Sequence, residues 1–163
     1  IAMKKTARGG GGLCDSESSP LVTSFCAADV ARGVSRLLMA EGYSPLIEFT
    51  LGNGRRLDVA ALGPKGQILG VEIKVSRSDL RSDRKWLDYI GYCDRFYFAV
   101  PPDFPQQEVS QDAGLIVADS YGGAILRPSR VETIAPARRR AVTLRFAQCA
   151  VLRLARLRDP NIF

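Results

Sequence analysis

The chain contains no histidine. That single absence removes Ser-His-Asp and Cys-His nucleophilic catalysis, HExxH zinc hydrolysis and every His-metal nuclease motif. Catalysis, if there is any, falls to carboxylates, Lys, Ser, Tyr, Cys or a metal. The four cysteines (Cys14, Cys26, Cys93, Cys149) are scattered and form no CxxC pair. That spacing argues against a zinc ribbon and against a disulfide framework, and a reducing cytoplasm becomes the default compartment. Long apolar runs are missing too: none approaches the ~20 residues that span a bilayer, and no signal-peptide core is present at the N-terminus. Ile1-Ala2 ahead of Met3 reads as a cloning remnant.

What remains is 163 residues with 46% apolar content, enough for one domain with a real core. The net charge of +6 is unevenly spread. Nine arginines against Glu132 and Asp159 give residues 127–163 a charge of +7 and leave −1 for the rest. A basic end points to a polyanion, nucleic acid before membrane, although a solvated helix face would read the same way.

Residues 1–20 are rich in Lys, Gly and Ser and read as disordered. A helical stripe (Phe25, Val30, Val34, Leu37, Leu38) runs from Thr23 to about Glu41, with Thr23 or Ser24 as its cap. Residues 45–51 alternate as a strand, and Gly52-Asn53-Gly54 is a hairpin turn signal. Two further strands, 57–62 and 67–75, flank the turn formers Gly63-Pro64-Lys65-Gly66. Regular alternation puts Leu57, Val59 and Ala61 on one face with Asp58 opposite, and places Glu72, Lys74 and Ser76 together. A helix follows over 79–92, capped by Ser76 or Ser78. Strands at 96–100, 115–118 and 124–127 come next, with a loop over 101–114, and a basic helix over 136–158 closes the chain. The order α-β-β-β-α-β-β-β-α predicts a single-domain α/β fold: a mixed sheet flanked by helices.

If 57–62 and 67–75 pair around a three-residue loop, opposed positions sum to 130, and Asp58 lies across from Glu72. Directly opposed like charges are destabilising. Lys74 answers this in part and a divalent cation answers it more fully, since hard cations favour carboxylate oxygens. Glu48 reaches the same face if the three strands are neighbours; Glu41 is the reserve.

Asp58, thirteen intervening residues, then Glu72-Ile73-Lys74 resemble the PD-(D/E)XK nuclease motif. Its restriction-endonuclease-like αβββαβ core has the element order of residues 23–100, here with an added β-hairpin and the basic C-terminal helix. The bare pattern is ordinary on the polar face of a strand; its placement on one hairpin, with a helix right after the lysine, makes it informative. The resemblance implies that Asp58, Glu72 and Lys74 are catalytic. It also implies that Asp58, Glu72 and the Ile73 carbonyl ligate Mg²⁺ (or Mn²⁺), with Glu48 as an additional carboxylate. Lys74 would orient the attacking water or stabilise charge on the phosphate; two nearby carboxylates favour its charged form over a free base.

Longer stretches are similar to the MmcB family of bacterial proteins assigned to DNA repair as endonucleases. They include Gly52-Asn-Gly-Arg-Arg-Leu-Asp58, Val71-Glu-Ile-Lys-Val-Ser-Arg-Ser-Asp79, Asp83-Arg-Lys-Trp86, Tyr92-Cys-Asp-Arg-Phe-Tyr-Phe98 and Gly114-Leu-Ile-Val-Ala-Asp119. The implied partner is DNA, with other repair proteins and a homodimer also allowed, no membrane, and a nucleoid-associated place in the cytoplasm. Candidate DNA contacts are Arg55, Arg56, Ser76, Arg77, Lys85, Tyr89, Arg138, Arg139 and Arg140. Each has an ordinary structural reading beside it: surface solvation, a helix cap or a helix end. Trp86 is read as core. The rival to a nuclease is a non-catalytic DNA-binding scaffold on the same fold, or an adaptor using the 101–114 loop as its contact surface.

Overall fold

The structure, a computed structural model, describes residues 25–82 and 86–162. The expected disorder of residues 1–20 and Lys85 lie outside the described residues, as do Thr23 and Ser24; the helix expected from Thr23 begins instead at Ala27, with Cys26 in the cap position. Six strands form one mixed sheet in chain order: β1 (Ser44–Thr50), β2 (Arg56–Leu62), β3 (Ile68–Ile73), β4 (Arg95–Val100), β5 (Gly114–Ala118) and β6 (Gly123–Arg127). β3 and β4 run parallel, as do β4 and β5; the other neighbours are antiparallel. Helices cover both faces, which makes this a single α/β domain.

Helix α1 (Ala27–Ala40) buries Val30, Val34 and Leu38 against Val59, Ala61, Val71, Ala99 and Ile116. Cys26 caps it: its Sγ contacts Asp29 Oδ2, whose oxygen also accepts the Cys26 N–H at 3.2 Å. Gly33 lets this helix sit down on the far end of the sheet. A Cβ there would lie 2.0 Å from the Asp119 carbonyl oxygen and 2.4 Å from that of Gly122.

The other face carries a second core, in which Phe49, Leu57, Phe96 and Phe98 meet Val142 and Phe146 of the long helix α4 (Pro136–Arg158). Pro136 opens α4 in the first helical turn, where a missing N–H costs nothing. The helix expected over 79–92 is instead two short pieces, α2 (Arg77–Ser82) and α3 (Leu87–Ile90), in a stretch whose alternating charges supply no continuous apolar stripe. Trp86 is core: it stacks on Phe96 at 5.8 Å and meets Phe98 edge-on at 6.0 Å. The 101–114 connection is anchored inward by Phe104, Val109 and Ala113, all buried.

Asp94, at the start of β4, ties three elements together. Its carboxylate accepts two hydrogen bonds from Arg139 of α4, at 2.6 and 2.7 Å, and one from the Ile68 N–H at 2.7 Å. Burial works against its ionisation, but the Arg139 hydrogen bonds, the Ile68 N–H and the charges of Arg139 and Arg95 outweigh it and hold the group below the ordinary aspartate value. A depressed carboxylate stabilises the fold above the unfolded-state pKa of about 3.9, and that contribution is lost as pH falls through the folded value. Arg139→Ala should therefore cost about 2–3 kcal/mol at pH 7, below the figure for a fully buried pair because Arg139 is partly exposed. In thermal melts the gap to wild type should narrow as pH drops below about 4. A gap that does not change with pH would remove the ion pair as its cause.

Candidate active site

The β2–β3 hairpin has the register in which opposed positions sum to 130: Val59 faces Val71 and Leu62 faces Ile68. Pairing stops one step short of Asp58 and Glu72. There the Asp58 side chain takes over the ladder, with Oδ2 accepting the Ile73 N–H at 2.7 Å. The β3 backbone continues past its nominal end, because the Lys74 N–H donates to the Ala99 carbonyl at 2.9 Å.

Regular alternation fails at Asp58. Leu57 and Ala60, three apart, pack into one core, and so do Leu46 and Phe49 on β1, whereas Val59 and Ala61 face α1. A regular strand would place residues three apart on opposite faces. The cause lies in β1: Glu48 has φ +50°, the left-handed region, and the β1–β2 ladder skips the Glu48–Asp58 pair. The expected common face for Leu57, Val59 and Ala61 is thus corrected. Glu48 stands beside Asp58 in register but is exposed, and it pairs with Arg56 at 3.5 Å.

Asp58, Glu72, Ile73 and Lys74 line one pocket of about 510 Å³, with Arg55, Arg56, Asp79 and Tyr89 around them. It sits past the carboxyl end of the parallel strand β3, where open α/β sheets place their ligands. Lys74 is 6% exposed and its Nζ lies 3.3 Å from Glu72 Oε1. Asp58 has a raised pKa, chiefly because burial penalises its charged form; Glu48 adds to this, while the Ile73 N–H, Lys74 and Arg56 oppose it. Two carboxylates and a backbone oxygen suit Mg²⁺, which takes one or two carboxylates and keeps several waters. Among the described residues no group of three or more His, Cys, Asp or Glu is placed to hold a metal, so Glu48 is not brought into the set. Asp79 is a pocket residue that the sequence reading did not single out.

The other candidates divide. Arg55 donates to Asp88 at 2.9 Å and Arg77 pairs with Glu108 at 3.0 Å. Ser76 Oγ accepts the Asp79 N–H at 3.3 Å, a cap. Tyr89 is buried and its hydroxyl donates to the Arg56 carbonyl at 3.2 Å. Arg138 donates to the Gly91 carbonyl at 3.0 Å and lies over the Tyr92 ring, while Arg139 is held by Asp94. Arg140 is exposed and has no partner among the described residues. Sequence reasoning could count these charges but not see which of them the fold itself uses.

Fold and pocket together define a single α/β domain with a carboxylate–lysine cluster at a sheet end. The family model described as "DNA repair protein MmcB-like" matches residues 18–161, and the chain belongs to that family of DNA repair proteins. It is similar to a solved protein of unknown function from Silicibacter pomeroyi, with 42% identity, a TM-score of 0.81 and coverage of 83% of this chain and 93% of that one. No curated protein matches. None of the described helices is long and apolar enough to cross a membrane.

Proposed function

We propose that this chain is a metal-dependent DNA endonuclease of the PD-(D/E)XK type, acting in DNA repair. The observation that carries the reading is the convergence of Asp58, Glu72, Ile73 and Lys74 on one pocket at the carboxyl end of β3. Asp58, Glu72 and the Ile73 carbonyl would hold Mg²⁺ or Mn²⁺. A cation bound there polarises the scissile phosphate and acidifies a coordinated water. Lys74, paired with Glu72 at 3.3 Å, would supply a fixed positive charge for the phosphate's developing charge. Arg55 and Arg56 on the pocket rim meet the flanking phosphates, with Arg55 presented in a fixed pose by Asp88.

One observation favours a non-catalytic DNA-binding scaffold instead. Glu48 is exposed, pairs with Arg56 at 3.5 Å and is not among the residues that line the pocket, leaving a leaner acidic set than the motif reading expects. Cleavage separates the two. Wild type, Asp58→Ala and Glu72→Ala would be incubated with single-stranded, nicked, flapped and mismatched DNA in Mg²⁺ or Mn²⁺. Wild type should cut at least one substrate, and each variant should be slower by about 10²–10³-fold. If no substrate is cut, or both variants cut normally, the hydrolytic reading fails; salt-sensitive binding that survives both substitutions then supports the scaffold.

A further inference from the structure

Helix α4 is two-faced. Its inner stripe, Val142, Phe146, Cys149 and Arg153, meets the sheet. The opposite side carries Leu144, Ala147, Val151 and Leu154, spaced three, four and three apart. All four are exposed, with Leu144 at 55%, Val151 at 65% and Leu154 at 49%. That spacing is the a/d seam of a coiled coil. At about 100° per residue the four fall within an 80° sector, opposite the stripe that already packs. Among the described residues nothing covers them, and a contiguous apolar seam of this kind marks a contact surface.

Charge decides what fits. α4 carries seven arginines and no acidic residue. Two of them, Arg140 and Arg158, stand on the axis of the seam, one at each end, about 27 Å apart at the helical rise. Neither has a partner among the described residues. A second copy of the helix is disfavoured in both directions: antiparallel pairing sets Arg140 against Arg158, and parallel pairing sets each against itself. A membrane is disfavoured as well, since a helix lying in the interface keeps its basic residues on the polar face, whereas these two would be pressed toward the acyl chains. DNA would engage the guanidinium groups but leave the leucines in water.

We infer that the outer face of α4 docks an acidic amphipathic helix of another protein. The apolar stripe of that helix would meet Leu144, Ala147, Val151 and Leu154, and its terminal carboxylates would pair with Arg140 and Arg158. This is helix-to-helix recognition with charge setting orientation and partner choice. It is independent of whether the pocket cuts DNA.

The test uses a fluorescein-labelled 21-residue synthetic helix with leucine at a and d and glutamate at the flanking positions. A scrambled peptide of the same composition is the control. Anisotropy titrations should show saturable binding to wild type that weakens as salt rises. The scrambled peptide, and wild type exchanged for the Val151→Glu/Leu154→Glu variant, should each bind at least tenfold more weakly. Both substituted positions are exposed; circular dichroism checks the fold, with Leu154→Gln as the milder second variant. Equal binding of the two peptides, equal binding by the variants, or no binding at all overturns the proposal. So does concentration-dependent dimerisation of wild type that the variant abolishes, or variant-sensitive binding to phosphatidylglycerol vesicles, each of which assigns the seam to a different occupant.

Discussion

Asp58→Asn should melt higher than wild type at pH 7 and yet gain no stability from Mg²⁺. Asp58 is half-buried and its pKa is raised, mainly by desolvation. A carboxyl whose folded pKa lies above the unfolded value stabilises the fold while protonated and loses that contribution as pH rises through the folded value. At neutral pH the ionised group is therefore a net cost. Asparagine removes the charge but keeps an oxygen to accept the Ile73 N–H, now held at 2.7 Å. Asp58→Ala lacks that oxygen and strands the N–H at the ladder's end, a loss of about 1–3 kcal/mol. The two variants should thus move in opposite directions at pH 7, and the Asn variant should coincide with wild type near pH 3. Added Mg²⁺ should raise the melting temperature of wild type alone, by the linkage between ligand and folded state. An Asn variant that melts lower than wild type at pH 7 would refute the electrostatic account. Equal Mg²⁺ stabilisation of both proteins would refute Asp58 as a ligand.

Gly33→Ala should be among the most damaging single-methyl changes in the protein. In a free helix the same change stabilises by about 1 kcal/mol. Here the new Cβ would sit 2.0 and 2.4 Å from two backbone carbonyl oxygens, those of Asp119 and Gly122. Neither oxygen can swing aside as a flexible side chain would, because the Asp119 carboxylate pins that turn by accepting the Tyr121 and Gly122 N–H groups at 2.7 and 2.9 Å. α1 must lift away from the β5–β6 turn, at a cost near the upper end of the 1–3 kcal/mol usual for overpacking, about 3 kcal/mol. For a chain of this size that lowers the melting temperature by about 6–12 °C. The pocket should suffer less than the fold, since it lies near the N-terminus of α1, at Ala27, two turns away. A melting temperature at or above wild type would mean that the helix does not approach this closely.

Local signals carried much of this architecture. The turn formers at 63–66 and the alternation on either side gave the hairpin register correctly, and the basic helix expected over 136–158 is α4 at those bounds. The failure at Glu48 has a physical reason. A left-handed residue is usually announced by glycine or asparagine, and a glutamate in the middle of an alternating run gives no such notice. Every face assignment that assumed a regular pleat on both sides of it was therefore exposed to error, including the third carboxylate. The arginines were opaque for another reason: Arg139 and Arg138 find their partners at Asp94 and Gly91, 45 and 47 residues away, and composition says nothing about such reach.

The arginines of α4 have one more consequence. β1 is the first edge of the sheet, and an edge strand exposes unpaired carbonyls that invite another chain. Arg153 donates to the Ile47 and Glu48 carbonyls, and Arg145 donates to that of Thr50 at 2.8 Å. Guanidinium groups thus stand where a foreign strand would have to pair. The opposite edge, β6, carries Ile125 and Leu126 exposed. Among the described residues no guanidinium group guards β6 in this way, so under conditions that loosen the fold, strand-by-strand accretion should begin at β6.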